Sequence, residues 1–389
     1  MENKERALAH VEKIEWIRPI EGADNIELIG VLGWICIAKK GEFNVGDMAV
    51  YIEIDSKCPE TDERFAFLAN KKFKVKTMKL GKFKVISQGL ALPLSLFPEL
   101  HDRKIGDDVT EALKITYASE EDAARKTNKV DPNAKYKSMA KRRPKLFANP
   151  IVRKIMKYSI GRKIMFMLFG RKKDNPKKFP DWIVKTDETR IENAPFYLQS
   201  TEKWIKTEKC DGTSCTFAVD RLKKGKNKFD FIVCSRNVRQ ADREQACYHE
   251  SNIYWELADK YNIEKILTQF ATENNYNRVV LQGEGVGSVQ GNPYKFTENK
   301  LFVFNLIIDG TRLGTVEMAD FCKSHGLTSV PIIDTAYELP KTMEEMKLEA
   351  DGYSELNPKV KREGFVYRSI DGQQSFKNVS REYLLKHNG

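Results

Sequence analysis

The chain is poor in the residues that build soft-metal and disulfide sites. Its seven cysteines (Cys36, Cys58, Cys210, Cys215, Cys234, Cys247, Cys322) are scattered through 389 residues, and no two stand as a C-x-x-C pair. That excludes a zinc knuckle and a disulfide framework and fits a reducing compartment. The five histidines show no metal-ligand spacing, so any metal should be a hard, oxygen-bound ion such as Mg²⁺ or Mn²⁺. No apolar run reaches membrane-spanning length. Met1-Glu2-Asn3-Lys4 opens a charged N-terminus with no secretory core behind it. The expectation is an intracellular, cytoplasmic protein with the nucleus left open, no membrane partner, and a monomer.

Acidic residues are also missing, but only locally. From Lys135 to Lys178 there are 16 Lys/Arg and one acid, Asp174. That local net of +15 exceeds the overall +11, so the rest of the chain carries −4. Regional basicity of this kind favours a local polyanion contact over a generally basic fold. With 41% apolar and 31% charged residues, the remainder has a soluble globular composition long enough for two or three domains.

Residues 8–57 read as a small barrel of short strands. Val11–Ile14 starts the first and Ile26–Val31 alternates as the second, with Gly22-Ala23-Asp24-Asn25 as the turn. Trp34–Ala38 and Met48–Asp55 follow, the latter after Gly46-Asp47. Strands this short at this spacing suggest an OB-like barrel. Basic and aromatic residues interleave in Phe73–Leu80 and Lys82-Phe83-Lys84, which suits either a backbone-tracking groove with stacking rings or an ordinary solvated lysine face. Ser87–Leu94 closes the domain.

Residues 116–178 read as a basic linker or insertion. An acidic helix start at 118–122 precedes Lys141-Arg142-Arg143, and Ile151–Phe169 is basic and apolar together. Three uses stay open for this stretch: an amphipathic helical pair packed on the body, a peripheral membrane contact, and a solvated RNA-binding arm. Beyond it, Lys185-Thr186-Asp187-Glu188 reads as a helix N-terminus capped at Thr186/Asp187, with Lys185 and Arg190 as alternative phosphate contacts.

The second half is organised around Thr207-Glu208-Lys209-Cys210-Asp211-Gly212-Thr213-Ser214. A lysine is a nucleophile only when neutral, and its reference pKa lies near 10.4. Burial or nearby cations must lower it. Asp211-Gly212 reads as a tight turn that fixes the lysine at a pocket lip. Residues 215–219 and 229–234 form a hairpin about a lysine-rich turn at 223–226 and run into Ser235-Arg236-Asn237. Residues 248–273 have helical period with an aromatic core stripe. Strands at Val279–Gly285, Leu301–Gly310, Glu363–Arg368 and Ser375–Val379 complete the domain. Singly, Glu284 and Glu363 read equally as strand ends, and Phe304 as core.

In order, these motifs are lysine-acid-glycine, Ser-Arg-Asn, Gly-Glu-Gly, Phe-x-Phe-Asn, Glu-Gly-x-Val and a strand-borne lysine. Over roughly residues 180–385 the set resembles the covalent nucleotidyltransferase superfamily of ATP-dependent ligases and mRNA-capping enzymes. Gly46–Ser56, Ser87–Pro93, Lys185–Glu188, and Ser375–Lys377 with Tyr383–Lys386 resemble more narrowly the Deinococcus-type RNA ligases, in which an OB domain comes first. The twelve residues after Lys377 are too few for the trailing OB domain of DNA ligases and capping enzymes.

The resemblance implies an α+β fold: an OB-like β-barrel over 1–115, a basic insertion over 116–178, and an adenylyltransferase domain of antiparallel sheets and flanking helices over 179–389. It implies that Lys209 attacks the α-phosphate of ATP and expels pyrophosphate, leaving lysyl-AMP. Lys377 would neutralise the α-phosphate. Glu363 and Glu284 would hold Mg²⁺ or Mn²⁺, Glu284 also meeting the ribose. Phe304, or on the alternative face Phe302, would stack on adenine. Arg236 would contact the ribose or an RNA 5′-phosphate, and Glu208, Asp211 and Gly212 would complete the nucleotide site. AMP would pass to the 5′-phosphate, and a 3′-hydroxyl would displace it, sealing RNA or a nicked duplex with an RNA 3′-OH strand in repair. Many relatives carry two lysines flanking one residue in the last motif. Here Lys377 is followed by Asn378-Val379, so the second phosphate contact is either missing, which would put full three-step activity in question, or supplied by Lys185 or Arg190. Two other readings remain: a capping-type guanylyltransferase, and an RNA-binding protein with a degenerate ligase domain. The intact Lys209, Glu284, Glu363 and Lys377 argue against degeneration.

Overall fold

In the computed structural model, the structure describes residues 6–118, 144–169, 177–223, 228–240 and 252–387. Contacts divide the chain into two compact units. One comprises Met1–Ala118, Lys178–Gln240 and Ile253–Gly389; the other comprises Ser119–Lys177 and Ala241–Asn252.

The first unit begins with a curled antiparallel sheet in the order β3-β2-β1-β4-β5. The strands are β1 (Ala9–Pro19), β2 (Ile26–Val31), β3 (Trp34–Lys39), β4 (Met48–Ile52) and β5 (Leu90–Pro93). β1 is longer than the sequence pattern marks. A bulge between Ile14 and Trp16 lets its two halves pair with different neighbours, β4 before the bulge and β2 after it. A bulge bends a strand in this way and curls the sheet. Ile14, Ile29, Val31, Trp34, Cys36 and Tyr51 fill one side of it. β4 stops at Ile52 rather than Asp55, because Asp55 takes a left-handed φ of 69°, which a strand cannot continue through. Phe73 packs against the core, so it is no free stacking platform.

The rest of the first unit is built on two sheets. A four-strand antiparallel core, β9-β8-β10-β11, lies within a larger sheet. Its strands are β8 (Thr213–Arg221), β9 (Phe229–Cys234), β10 (Arg278–Val286) and β11 (Lys300–Ile308). The second sheet runs β6-β14-β13-β7-β12. Its strands are β6 (Thr189–Arg190), β7 (Trp204–Glu208), β12 (Ile332–Tyr337), β13 (Gly364–Ser369) and β14 (Ser375–Val379). Helices α4 (Ile253–Lys260) and α5 (Ile263–Glu273) cover the first sheet. They replace the single helix read from the sequence, since Asn262 between them is left-handed at φ 52°, a conformation that ends a helix. Residues 224–226 of the lysine-rich turn, the acidic helix start from 119 onward and the 248–251 start of the helical pattern lie outside the described residues.

Thr186/Asp187 caps no helix. Residues 184–188 have no regular structure, and Thr189-Arg190 forms β6, parallel to β14 with Arg190 opposite Lys377. The polar run that imitates a cap is the approach to an edge strand. After it, the three-residue turn Ile191–Asn193 meets the N-terminal sheet. The Gly33 amide donates to the Glu192 carbonyl at 2.8 Å, and a Cβ on Gly33 would sit 2.7 Å from Glu192 Cα. Val379 and Leu384, the latter on helix α8 (Arg381–His387), lie in the same core as Ile14 and Trp34.

The second unit contributes α1 (Pro144–Ala148), α2 (Pro150–Lys157) and α3 (Ser159–Phe169). Asn149 caps α2, its side chain accepting from the Ile151 amide at 2.9 Å. Arg162 Nη1 donates to the Met156 and Lys157 carbonyls, both at 3.2 Å, and closes the helical corner.

Candidate active site

Lys209 lies where the chain leaves β7 of one sheet and crosses into β8 of the other. Its backbone amide still pairs with the second sheet, donating to the Gly364 carbonyl at 3.0 Å. Its side chain meets residues from both sheets. Nζ donates to Glu363 Oε1 at 2.7 Å, with Glu363 directly preceding β13. Glu284, on β10 opposite Ser214 and Phe302, acts on the amine electrostatically, as does Asp211.

Burial works against charge on Lys209, but Glu363, then Glu284 and Asp211, outweigh it and raise the amine above its ordinary value. The cost falls on Glu284. Burial first, then Glu363 and Asp211 against the relief from Lys209, pushes its carboxyl up to about 8. Three acids thus face one amine. Such a site lacks positive charge.

Gly212 is required by space rather than by a turn. Its φ is ordinary, and a Cβ there would run into the Gly285 carbonyl oxygen and Val286. The Asp211-Gly212 pair is therefore a bend pressed against β10, not the tight turn read from the sequence. The Asp211 amide donates to the Tyr294 hydroxyl at 2.7 Å, and the Asp211 side chain hydrogen-bonds Tyr383 of α8.

A second cluster adjoins the first. Lys377 on β14 donates to Asp187 Oδ1 at 2.7 Å, and Arg236 pairs with Asp187 Oδ2 at 3.0 Å. Burial raises Asp187, but Lys377 and Arg236 overcome it and hold the carboxyl well below the usual range. Burial lowers Lys377 to about 8 against the pull of Asp187, with Arg190, Arg6 and Lys209 adding to the lowering. Arg190 is only 6% exposed. Its Nη2 donates to Asp55 of the N-terminal domain at 3.0 Å, while Nε and Nη1 have no hydrogen-bond partner among the described residues. Lys185 is half-buried in the same segment.

Phe304 is the extra residue of a bulge in β11, since Gln282 pairs with Asn305 and Gly283 with Val303. Arg368 of β13 donates to its carbonyl and, at 3.2 Å, to Glu188. Phe304 is half-buried and Phe302 is buried, both in a cluster with Tyr294 and Val330.

Lys209, Glu284, Glu363, Asp211 and Gly212 therefore converge, with Lys377 and Arg236 joined through Asp187. Glu208 does not join them. Its buried carboxylate accepts from the Ser354 hydroxyl and the Glu355 amide. Burial keeps that carboxyl raised despite those bonds. Sequence reasoning missed Asp187 as the acid between two cations, and Tyr294 and Tyr383 as the groups that hold Asp211. An acid inside a Lys-Thr-Asp-Glu run was the available signal for the first and the Tyr383–Lys386 stretch for Tyr383; Tyr294 gave none.

An OB-fold domain model matches residues 8–94 and an RNA ligase family model matches residues 202–386. Among solved structures, the chain is similar to the Naegleria gruberi RNA ligase with PPi, at 31% identity and TM-score 0.75, covering 98% of this chain and 99% of that one. A lysine-to-alanine variant of the same ligase with ATP and Mn matches at 30% identity and TM-score 0.74, with the same coverage. A lysine-to-methionine variant with AMP and Mn matches at 30% identity and TM-score 0.75, again over 98% and 99%. A comparison with curated protein sequences returns no match.

Proposed function

The chain belongs to the RNA ligase family and is an ATP-dependent RNA ligase, and we propose that Lys209 carries AMP on its amine and that the enzyme seals nicks in duplexes with an RNA 3′-OH strand. One observation carries the assignment of the nucleophile: the Lys209 amine, at the crossing between two sheets, lies 2.7 Å from Glu363 in a pocket that also holds Glu284.

The donor set fits a hard divalent cation. Three acids against one amine leave the pocket short of positive charge, and all the donors are oxygens. Among the described residues no group of three or more His, Cys, Asp or Glu is preassembled for a metal. That agrees with Mg²⁺ or Mn²⁺, which take one or two carboxylates and complete their shell from substrate phosphates and water. Glu363 and Glu284 would hold the ion, which would supply charge to the phosphate oxygens.

The protein's own groups then divide the work. A cation held by Glu363 would release the Lys209 ammonium from that carboxylate, and burial would then favour the neutral amine. That amine attacks the α-phosphorus. A P–N bond forms, the bond to the bridging oxygen breaks, and pyrophosphate leaves with the electron pair. Lys377 and Arg190 neutralise the phosphate oxygens. The orphaned Nε and Nη1 of Arg190 are donors awaiting an anion, and they support Arg190 over Lys185 as the stand-in for the second lysine of the last motif. Phe304 stacks on adenine, with Glu284 at the ribose. Glu208 acts from behind, positioning the 354–355 loop. Arg236 moves from Asp187 to the RNA 5′-phosphate. Residues 1–115 form the OB domain, 116–178 the insertion and 179–389 the ligase domain, the Deinococcus-type order. The enzyme works as a cytoplasmic monomer.

The test is incubation with α-labelled ATP or GTP and Mg²⁺ or Mn²⁺, followed by a denaturing gel beside Lys209→Ala. Label from ATP, lost in the variant, is expected. Label from GTP alone would assign capping instead. Nicked duplexes with RNA or DNA at the 3′-hydroxyl then test the substrate, and equal sealing of both would overturn the RNA 3′-OH requirement.

A further inference from the structure

The helices of residues 144–169 present an apolar face that is exposed among the described residues. In α3, Ile160, Ile164, Met167 and Leu168 fall at i, i+4, i+7 and i+8, which is one stripe of a helix. All four are exposed, Ile160 at 70% and Met167 at 77%. Met165, off that stripe, is buried. In α2, Ile151 and Ile155 are exposed while Val152 and Met156 are half-buried. Tyr158, between the helices, is 64% exposed. Exposed aliphatic side chains in this density mark a contact surface.

Charge says what kind of surface meets them. Residues 144–169 contain Lys145, Arg153, Lys154, Lys157, Arg162 and Lys163 and no acid. Arg153 and Lys157, with Phe147 and Met156, also line a concavity of about 320 Å³, an apolar floor with two cations at its edge. A nucleic acid would use the cations, but it is gripped by phosphate contacts and by stacking on aromatic rings. The exposed described apolar side chains here are aliphatic apart from Tyr158, and Phe147 is half-buried in the concavity. Aliphatic stripes beside lysines and arginines match the interface of an anionic bilayer instead. There the stems lie in the headgroup layer and the charged heads meet lipid phosphates. No described helix is long and apolar enough to cross a membrane, so the contact would lie in the interface plane.

We propose that residues 144–169 form a membrane-surface anchor that docks the ligase on anionic phospholipid. This rests on the helices alone and is independent of the chemistry at Lys209. It departs from the expectation of no membrane partner and chooses among the three uses the sequence left open.

The experiment is flotation of the full-length protein with vesicles of phosphatidylcholine alone or with about a third phosphatidylserine. Ile160→Glu with Ile164→Glu, and Lys154→Glu with Lys157→Glu, are run alongside, and formation of the covalent AMP adduct serves as the folding check. Recovery on anionic vesicles should exceed that on neutral ones by about tenfold or more, and each double variant should lose most of it while still forming the adduct. Equal recovery on both vesicles would overturn the proposal. So would anionic recovery that the isoleucine variant leaves intact, because then only charge is acting. No vesicle binding, with weakened binding to a labelled RNA in the lysine variant, would assign the stretch to RNA. If a variant loses the adduct, Met167→Ser with Leu168→Ser on the same stripe replaces it, read against the same outcomes.

Discussion

Two charge clusters, one buried at the junction with the N-terminal sheet and one half-buried about Lys209, are wired in opposite ways. At the junction with the N-terminal sheet, each ion has a protein counter-ion. Lys347 of α7 (Met343–Ala350) donates to Glu192 and to the Val379 carbonyl, both at 2.6 Å, with both side chains essentially sealed. Glu53 receives Arg6 at 2.9 Å, Asn193, and His10, which also bonds Glu12 at 2.8 Å. About Lys209 the charges do not balance: Glu363, Glu284 and Asp211 face one amine. Closed networks hold elements in register. An unbalanced one stores a demand that only a bound anion and cation can meet.

The sharpest break in that contrast is Lys209→Ala. It should abolish the covalent adduct on a denaturing gel while leaving the melting temperature within a few degrees of wild type. Lys347→Ala should do the reverse. A buried Glu192 left without its cation costs about 3–5 kcal/mol, visible as a lower denaturation midpoint, and Lys347→Met with Glu192→Leu should recover much of it.

His10 gives a smaller effect with a definite sign. Burial opposes its charge, but the bonds to Glu12 and Glu53 win and raise it to about 9. Stability from this group is complete below about 6.5 and is lost as pH climbs through about 9. His10→Gln should flatten thermal stability across that window by on the order of 2 kcal/mol. Glu53, lowered to about 2 by His10 and Arg6 against burial, should contribute at the acid end, its share fading below pH 4.5. The smallest shift is expected from Glu284→Gln. The amide mimics the protonated carboxyl, so stability above pH 8 should hold or rise by under about 1 kcal/mol. Adduct formation should nevertheless fall, because the group proposed to hold the metal is lost. A drop in stability would mean that Glu284 is ionised in the resting protein.

What could be read from the sequence followed from range. Glu284 and Glu363 stand beside glycines and Lys209 three residues before one, a local pattern that a single chain displays. The N-terminal strands showed in alternation, and β2 was marked to the residue. Asp187 misled because a polar run before an edge strand uses the same residues as a helix cap. The closed junction was invisible for another reason. Arg6 meets Glu53 across 47 positions and Glu192 meets Lys347 across 155, and no local rule pairs them. Nothing local to Gly33 signals that Glu192 stands against it.

The core shared by β1, β3 and α8 has a consequence for the order of folding. Val379 and Leu384 fill the same cluster as Ile14 and Trp34, contacts that span most of the chain. Closing such loops is slow, and a growing polypeptide cannot make them until its last strand has emerged. The N-terminal sheet must therefore wait, partly uncovered, through the synthesis of the whole catalytic domain. Its apolar wall is most at risk of mispairing during that interval, and that risk ends only when β14 and α8 arrive.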